Sequence, residues 1–162
     1  MQILAIDVGT GTQDILLYDT EKNMENSHVM VMPSPTVMVA DKVRNATESK
    51  ADILLTGYIM GGGPSTRAIK DHLKEGLKVY ATKNAALTIH DNYDRIRSMG
   101  IEIIDEHDLE PLPKNLQRIN LQDLALYEIK NAFYQFGVAF PSKFAVAVQD
   151  HGNSPELSNR VY

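Results

Sequence analysis

The sequence predicts an α/β domain, and three observations carry that expectation. Three short apolar runs in the first 33 residues, separated by turn-forming residues, read as successive strands. From Thr36 onward, stretches with helical spacing alternate with further apolar runs, the pattern of helices laid over a sheet. The chain of 162 residues is 43% hydrophobic and 23% charged, long enough and apolar enough to enclose one core.

The elements follow in order. "QILAIDV" is a buried strand broken by Gly9, and "DILLYD" a second one close enough to pair with it as a hairpin. "EKNMENS" is a polar turn, and "HVMVMP" a third strand stopped by Pro33 and Pro35. Thr36 is the expected cap of a helix through "VMVADKVRNATESK", with Val37, Val39, Ala40 and Val43 turned inward. "ADILLTGYI", nearly all apolar, reads as a strand covered on both faces. "MGGGPSTRAIKDHLKEG" opens a helix near Pro64 and closes it at Gly76. "LKVYAT" is a strand, "NAALTIHDNYDRIRSMG" a helix, and "IEIIDE" a short strand. "DLEPLPKN" is a loop. "LQDLALYEIKNAFYQFG" has the clearest apolar stripe, from Leu121 through Phe136, and "FAVAVQDHGNSP" ends as a strand running into an acid and a glycine.

Composition removes several classes of function. The net charge of −5, with no basic stripe, argues against a nucleic-acid partner held by bulk charge. With no cysteine, the chain offers no disulfide, thiolate metal site, thiol nucleophile or iron–sulfur ligand. The start "MQILAID" lacks a basic leader, and no run approaches the ~18 apolar residues that span a bilayer. The expectation is a cytoplasmic protein with no membrane contact.

The stretch that asks for explanation is "AIDVGTGTQDILLYD". An ordinary hairpin needs one or two turn residues. Here a strand ends at Asp7 and is followed by Gly9, Thr10, Gly11 and Thr12. Glycines let a backbone approach a ligand closely, and bare amides with threonine hydroxyls donate to phosphate oxygens. Asp7 would repel phosphate and is better suited to Mg²⁺ bridging to it. The plain alternative is a turn whose own polar groups satisfy one another. The pattern returns weakly at "VAVQDHGNS", with Asp150 and Gly152.

"DVGTGT" resembles the first phosphate motif of the actin-like ATPase superfamily, which includes sugar kinases, seventy-kilodalton heat-shock chaperones and acetate kinases. The resemblance implies a ribonuclease H-like domain: a mixed five-stranded sheet flanked by helices, in the order β-β-β-α-β-α-β-α. That lobe would occupy residues 1–140, and residues 141–162 would begin a second lobe or form a C-terminal strand and tail. The resemblance further implies ATP and Mg²⁺ as ligands. Asp7 would hold the metal and Gly9, Thr10, Gly11 and Thr12 the β- and γ-phosphates, with Gln13 as an amide meeting phosphate. Asp150, as a second metal carboxylate, and Gly152 would form the facing loop. Asp14 stands where activator-type members usually carry lysine, and the run after Asp150 is "HGNSP" rather than further glycines and threonine. The whole chain also resembles the N-terminal part of an archaeal family known as a domain of unknown function. Its members have carried the label pyruvate formate-lyase activating enzyme. A radical enzyme of that kind needs a cysteine-bound iron–sulfur cluster, which this sequence lacks.

Other features carry less. Gly61, Gly62 and Gly63 precede a helix whose free amides favour an anion, with Arg67 adding positive charge; the alternative is a flexible connection with a capped helix. The five histidines show no metal-ligand spacing; His90, just beyond "TKNAALT", and His151, inside the second acid–glycine loop, are the two to test first. Tyr127, Phe133, Tyr134 and Phe136 exceed what one stripe buries, which suits contact with a second lobe or a homodimer. Two functions remain: a nucleotide-phosphate-binding lobe of an ATPase or phosphotransferase, inactive alone, or a non-catalytic interaction or regulatory domain on the same scaffold.

Overall fold

The computed structural model describes residues 1–108 and 116–148. Its strands are β1 (Gln2–Val8), β2 (Thr12–Asp19), β3 (His28–Pro33), β4 (Ile53–Gly57), β5 (Val79–Thr82), β6 (Ile101–Ile104), β7 (Gln117–Leu121) and β8 (Phe144–Val148). Its helices are α1 (Pro35–Glu48), α2 (Gly63–Lys74), α3 (Lys83–Ile89), α4 (Tyr93–Ser98) and α5 (Leu126–Gln135). The fold is α/β, with helices flanking one mixed and one parallel sheet.

The single five-stranded sheet expected from the resemblance is not formed. Two four-stranded sheets take its place, ordered β3-β2-β1-β8 and β6-β5-β4-β7. The cause lies at the second edge of β1. Leu4 to Val8 pair in parallel with Phe144 to Val148, so β4 has no access to β1. It is flanked instead by β5 on one side and β7 on the other, both parallel to it.

Burial follows these pairings. Ile53, Leu54 and Leu55 of β4 are all fully buried, as a central parallel strand requires. Ile53 and Leu55 join Val39, Val43, Ile69 and Ile119 in the larger core. In the mixed sheet, Leu4, Ile6, Ile15 and Leu17 alternate inward and meet Ile129 and Phe133 of α5 in a second, smaller core. The rings of Phe133 and Phe140 extend that core edge to face, with centroids 6.0 Å apart, and Phe140 in turn meets Phe144 of β8.

Three elements differ from expectation. The cap of α1 is Ser34 rather than Thr36, because its hydroxyl accepts the Val37 amide while Pro35 occupies the first helical position. The helix expected after β5 is two, α3 and α4, separated at His90–Asn92, where the Asn92 side chain accepts the amides of Asp94 and Arg95 and starts a new helix. Leu121 lies on β7 rather than on the last helix, whose regular part begins at Leu126.

Candidate functional site

The hairpin between β1 and β2 is shorter than its composition suggests. Val8 pairs with Gln13, and the Gly9 amide donates to the Thr12 carbonyl at 3.0 Å, leaving Thr10 and Gly11 at the tip. The back of this turn is pinned by the start of α1. The Ser34 hydroxyl donates to the Thr10 carbonyl at 2.8 Å, and the Thr36 hydroxyl donates to the same oxygen at 2.9 Å. The Ser34 amide reaches the Gly11 carbonyl at 3.1 Å. The front stays open: Gly9, Thr10, Gly11 and Thr12 are all exposed. Among the described residues, no acceptor is bonded to the amides of Thr10 and Gly11.

The two glycines of this turn differ in cause. A Cβ on Gly9 would lie 3.0 Å from the Thr12 carbonyl, so the tight turn itself favours glycine there. Gly11 has open space around the same position, and neither glycine adopts a positive φ. Neither backbone conformation nor packing requires glycine at position 11.

Strand alternation divides the residues flanking the turn. Gln13 points into the core side, 2% exposed, its Nε2 donating to the Pro33 carbonyl at 2.9 Å and its Oε1 buried without a partner. The amide expected to meet phosphate is thus turned away from the open turn, because position 13 shares a face with Ile15 and Leu17. Asp7 and Asp14 lie on the opposite, open face, directly across the β1–β2 ladder from each other. Neither has an ion-pair partner among the described residues.

The glycine-rich segment after β4 lies beside the turn. Gly57 turns the chain with φ +76°, where a Cβ would lie 2.3 Å from the Leu121 carbonyl. The Tyr58 amide bonds that same carbonyl, so the ends of β4 and β7 are tied together. The Met60 amide then donates to Asp123 at 2.7 Å. Val8, Gly9, Thr10, Thr36, Met60 and Asp123 line a crevice of about 10 Å³, room for about one water. It lies at the carboxyl ends of β4 and β7, where strand order reverses in the parallel sheet, the usual ligand position in open α/β sheets. Gly61 (φ +77°) and Gly62 continue from Met60, and Gly62 is compelled by the Thr66 hydroxyl and the Thr88 carbonyl. Gly63 begins α2, and a Cβ there would meet nothing.

The structure therefore brings Gly9 and Thr10 next to the segment leading to Gly61, Gly62 and Gly63, while Asp7 belongs to the other face of the mixed sheet. Asp150, His151 and Gly152 lie outside the described residues. Asp123 escaped sequence reasoning, because its partner is the amide of a residue far away in the chain. No group of three or more metal-ligating side chains occurs among the described residues. No helix there is long and apolar enough to cross a membrane.

A family model described as "Putative pyruvate format-lyase activating enzyme (DUF1786)" matches residues 60–162. The first turn lies outside that match. No curated protein matches the chain.

Proposed function

The chain belongs to that domain-of-unknown-function family, matched over more than half of its sequence, and from this premise we propose that it is a nucleotide-phosphate-binding lobe acting through the hairpin tip at Thr10–Gly11. The chemistry in the family's description is not the reading adopted. Radical activation requires thiolates to hold an iron–sulfur cluster, and the chain has no cysteine.

The single observation that carries the proposal is Gly11. It is a glycine that neither φ nor packing explains, on an exposed turn whose two tip amides have no described acceptor. A backbone left bare in this way accepts a polyanion at close range. The hydroxyls of Ser34 and Thr36 fix the turn from behind, so ligand binding loses little conformational freedom. Asp7, exposed one strand-end away, is suited to hold Mg²⁺ from the open face; the ion would neutralise the repulsion that Asp7 and Asp14 exert on phosphate.

The finer lineage belongs to the same proposal. The element order β-β-β-α-β-α-β-α runs from Gln2 to Ile89, and its first three strands form an antiparallel meander, an arrangement compatible with the start of an actin-like lobe. On this reading the working protein is a cytoplasmic ATPase or phosphotransferase whose active site needs a second lobe or a second copy. Positioning and charge neutralisation would supply its catalysis.

Titration of Mg·ATP and Mg·ADP by calorimetry tests the proposal. Gly11→Ala is expected to leave the melting temperature unchanged, since the new methyl meets open space. It should weaken binding by about two- to tenfold, the worth of one obstructed hydrogen bond. Asp7→Ala is expected to abolish the dependence on Mg²⁺. Nucleotide binding that ignores both substitutions removes the turn from the site, and no binding at all leaves the second reading. That reading, an interaction domain, is favoured by the uncovered face of the mixed sheet.

A further inference from the structure

Among the described residues, the mixed sheet has a helix on one face only. Leu4, Ile6, Ile15 and Leu17 are closed over by α5, whereas the residues alternating with them face solvent. Three cross-strand rows compose that open face, the first setting Ile3 beside Tyr18. Leu16 of β2 lies between Val29 of β3 and Ala5 of β1, and the next row sets Asp14 beside Asp7. The alanines of β8 and Ala5 form the floor, and Leu16 and Val29 stand above it, giving a groove of about 460 Å³. Val29 is 66% exposed. An α/β layer is stable when each apolar sheet face meets another element, and no described element covers this face.

We propose that the open face of the β3-β2-β1-β8 sheet is a docking surface for an amphipathic helix that carries a lysine or arginine near one end of its apolar stripe. Charge complementarity selects the occupant. Asp7 and Asp14 are direct cross-strand neighbours on the two central strands, at the hairpin end of an otherwise apolar surface, an arrangement that is unfavourable in isolation. Neither is ion-paired among the described residues, and a cation on a docked helix would supply the counter-charge they lack there. A second copy of this face would bring two more carboxylates and no cation. Dimensions agree with a helix. Four strands about 4.8 Å apart give a face about 14 Å across, which matches one helix with side chains about 10–12 Å wide.

The helix and the proposed Mg²⁺ would share the Asp7–Asp14 pair, so the test is run without Mg²⁺ and leaves Asp7, the residue on which the nucleotide proposal depends, unchanged. The probe is a synthetic peptide of about 14 residues, about 21 Å long as a helix. It has leucines on one face and a single lysine one turn from its end, with a lysine-to-glutamate counterpart as control. Fluorescence anisotropy of the labelled peptides is read against the full chain without Mg²⁺ or nucleotide. The lysine peptide is expected to bind, and the glutamate peptide to bind at least about tenfold more weakly. Asp14→Asn should weaken the lysine peptide by about three- to tenfold, and Val29→Lys should abolish its binding, with unchanged circular-dichroism melts. Equal binding of the two peptides, absence of binding, or indifference to both substitutions overturns the proposal. A dimer in sedimentation that Val29→Lys dissociates also overturns it and assigns the face to a second copy.

Discussion

His72 illustrates what burial does to one titratable residue. It is completely enclosed between α1 and α2, with Nδ1 2.7 Å from the Thr47 hydroxyl. Desolvation pushes its pKa below the ordinary value of 6.5, against the smaller opposing effects of the Lys78 backbone and the Asp52 charge. The native state therefore binds fewer protons here than the unfolded chain. Its contribution to stability is complete above about pH 6.5 and is lost as pH falls below that value. Thermal melts between pH 7.5 and 5 are expected to show a declining melting temperature whose slope is reduced in His72→Gln. Equal slopes in the two proteins would place the acid sensitivity elsewhere. Asp19 shows the opposite case at the surface, where the Glu21 amide and the Gln2 side chain hold its carboxyl below the usual range.

At the scale of the element, the start of α1 does two jobs at once. The Ser34 hydroxyl both caps the helix and holds the carbonyl of the nearby turn. Ser34→Ala is expected to cost about 1–2 kcal/mol, the upper range for losing a cap, measurable by urea denaturation. Thr36→Val, which removes only the second donor to Thr10, should cost less; a larger loss from Thr36→Val would mean that Thr36 is the main anchor. Much of this level was legible in the sequence. The first three strands, α1, β4, α2 and β5 stand where apolar runs and glycine or proline boundaries put them, because local burial determines them. Strand β7 was not legible. Its alternation of Arg118, Ile119, Asn120 and Leu121 runs straight into a helical stripe, so Leu121 reads equally well as either. The turn at Gly9–Thr12 announced itself through its glycines. Its attachment to Ser34, and that of Asp123 to Met60, depends on contacts between distant residues that no local pattern encodes.

Across the whole molecule, the determining contact is the parallel pairing of β1 with β8. It displaces β4 from the position that local order suggested and divides the chain into two sheets with separate cores. Cutting the chain after Gly137 would leave β1 with an unpaired edge and remove the Phe140 and Phe144 rings from beside Phe133. Such a truncation is expected to aggregate in light scattering at concentrations where the full chain is monodisperse. A soluble truncated chain with the same melting temperature would show β8 to be dispensable. Leu4 pairs with Phe144, so nearly the entire chain separates partners that lie side by side. On a ribosome β1 leaves the exit tunnel early and waits until β8 has been translated before its ladder can close. The parallel sheet, contained within residues 53–121, has no such delay. Translation therefore orders the assembly of the two halves, with the half bearing the hairpin completed last.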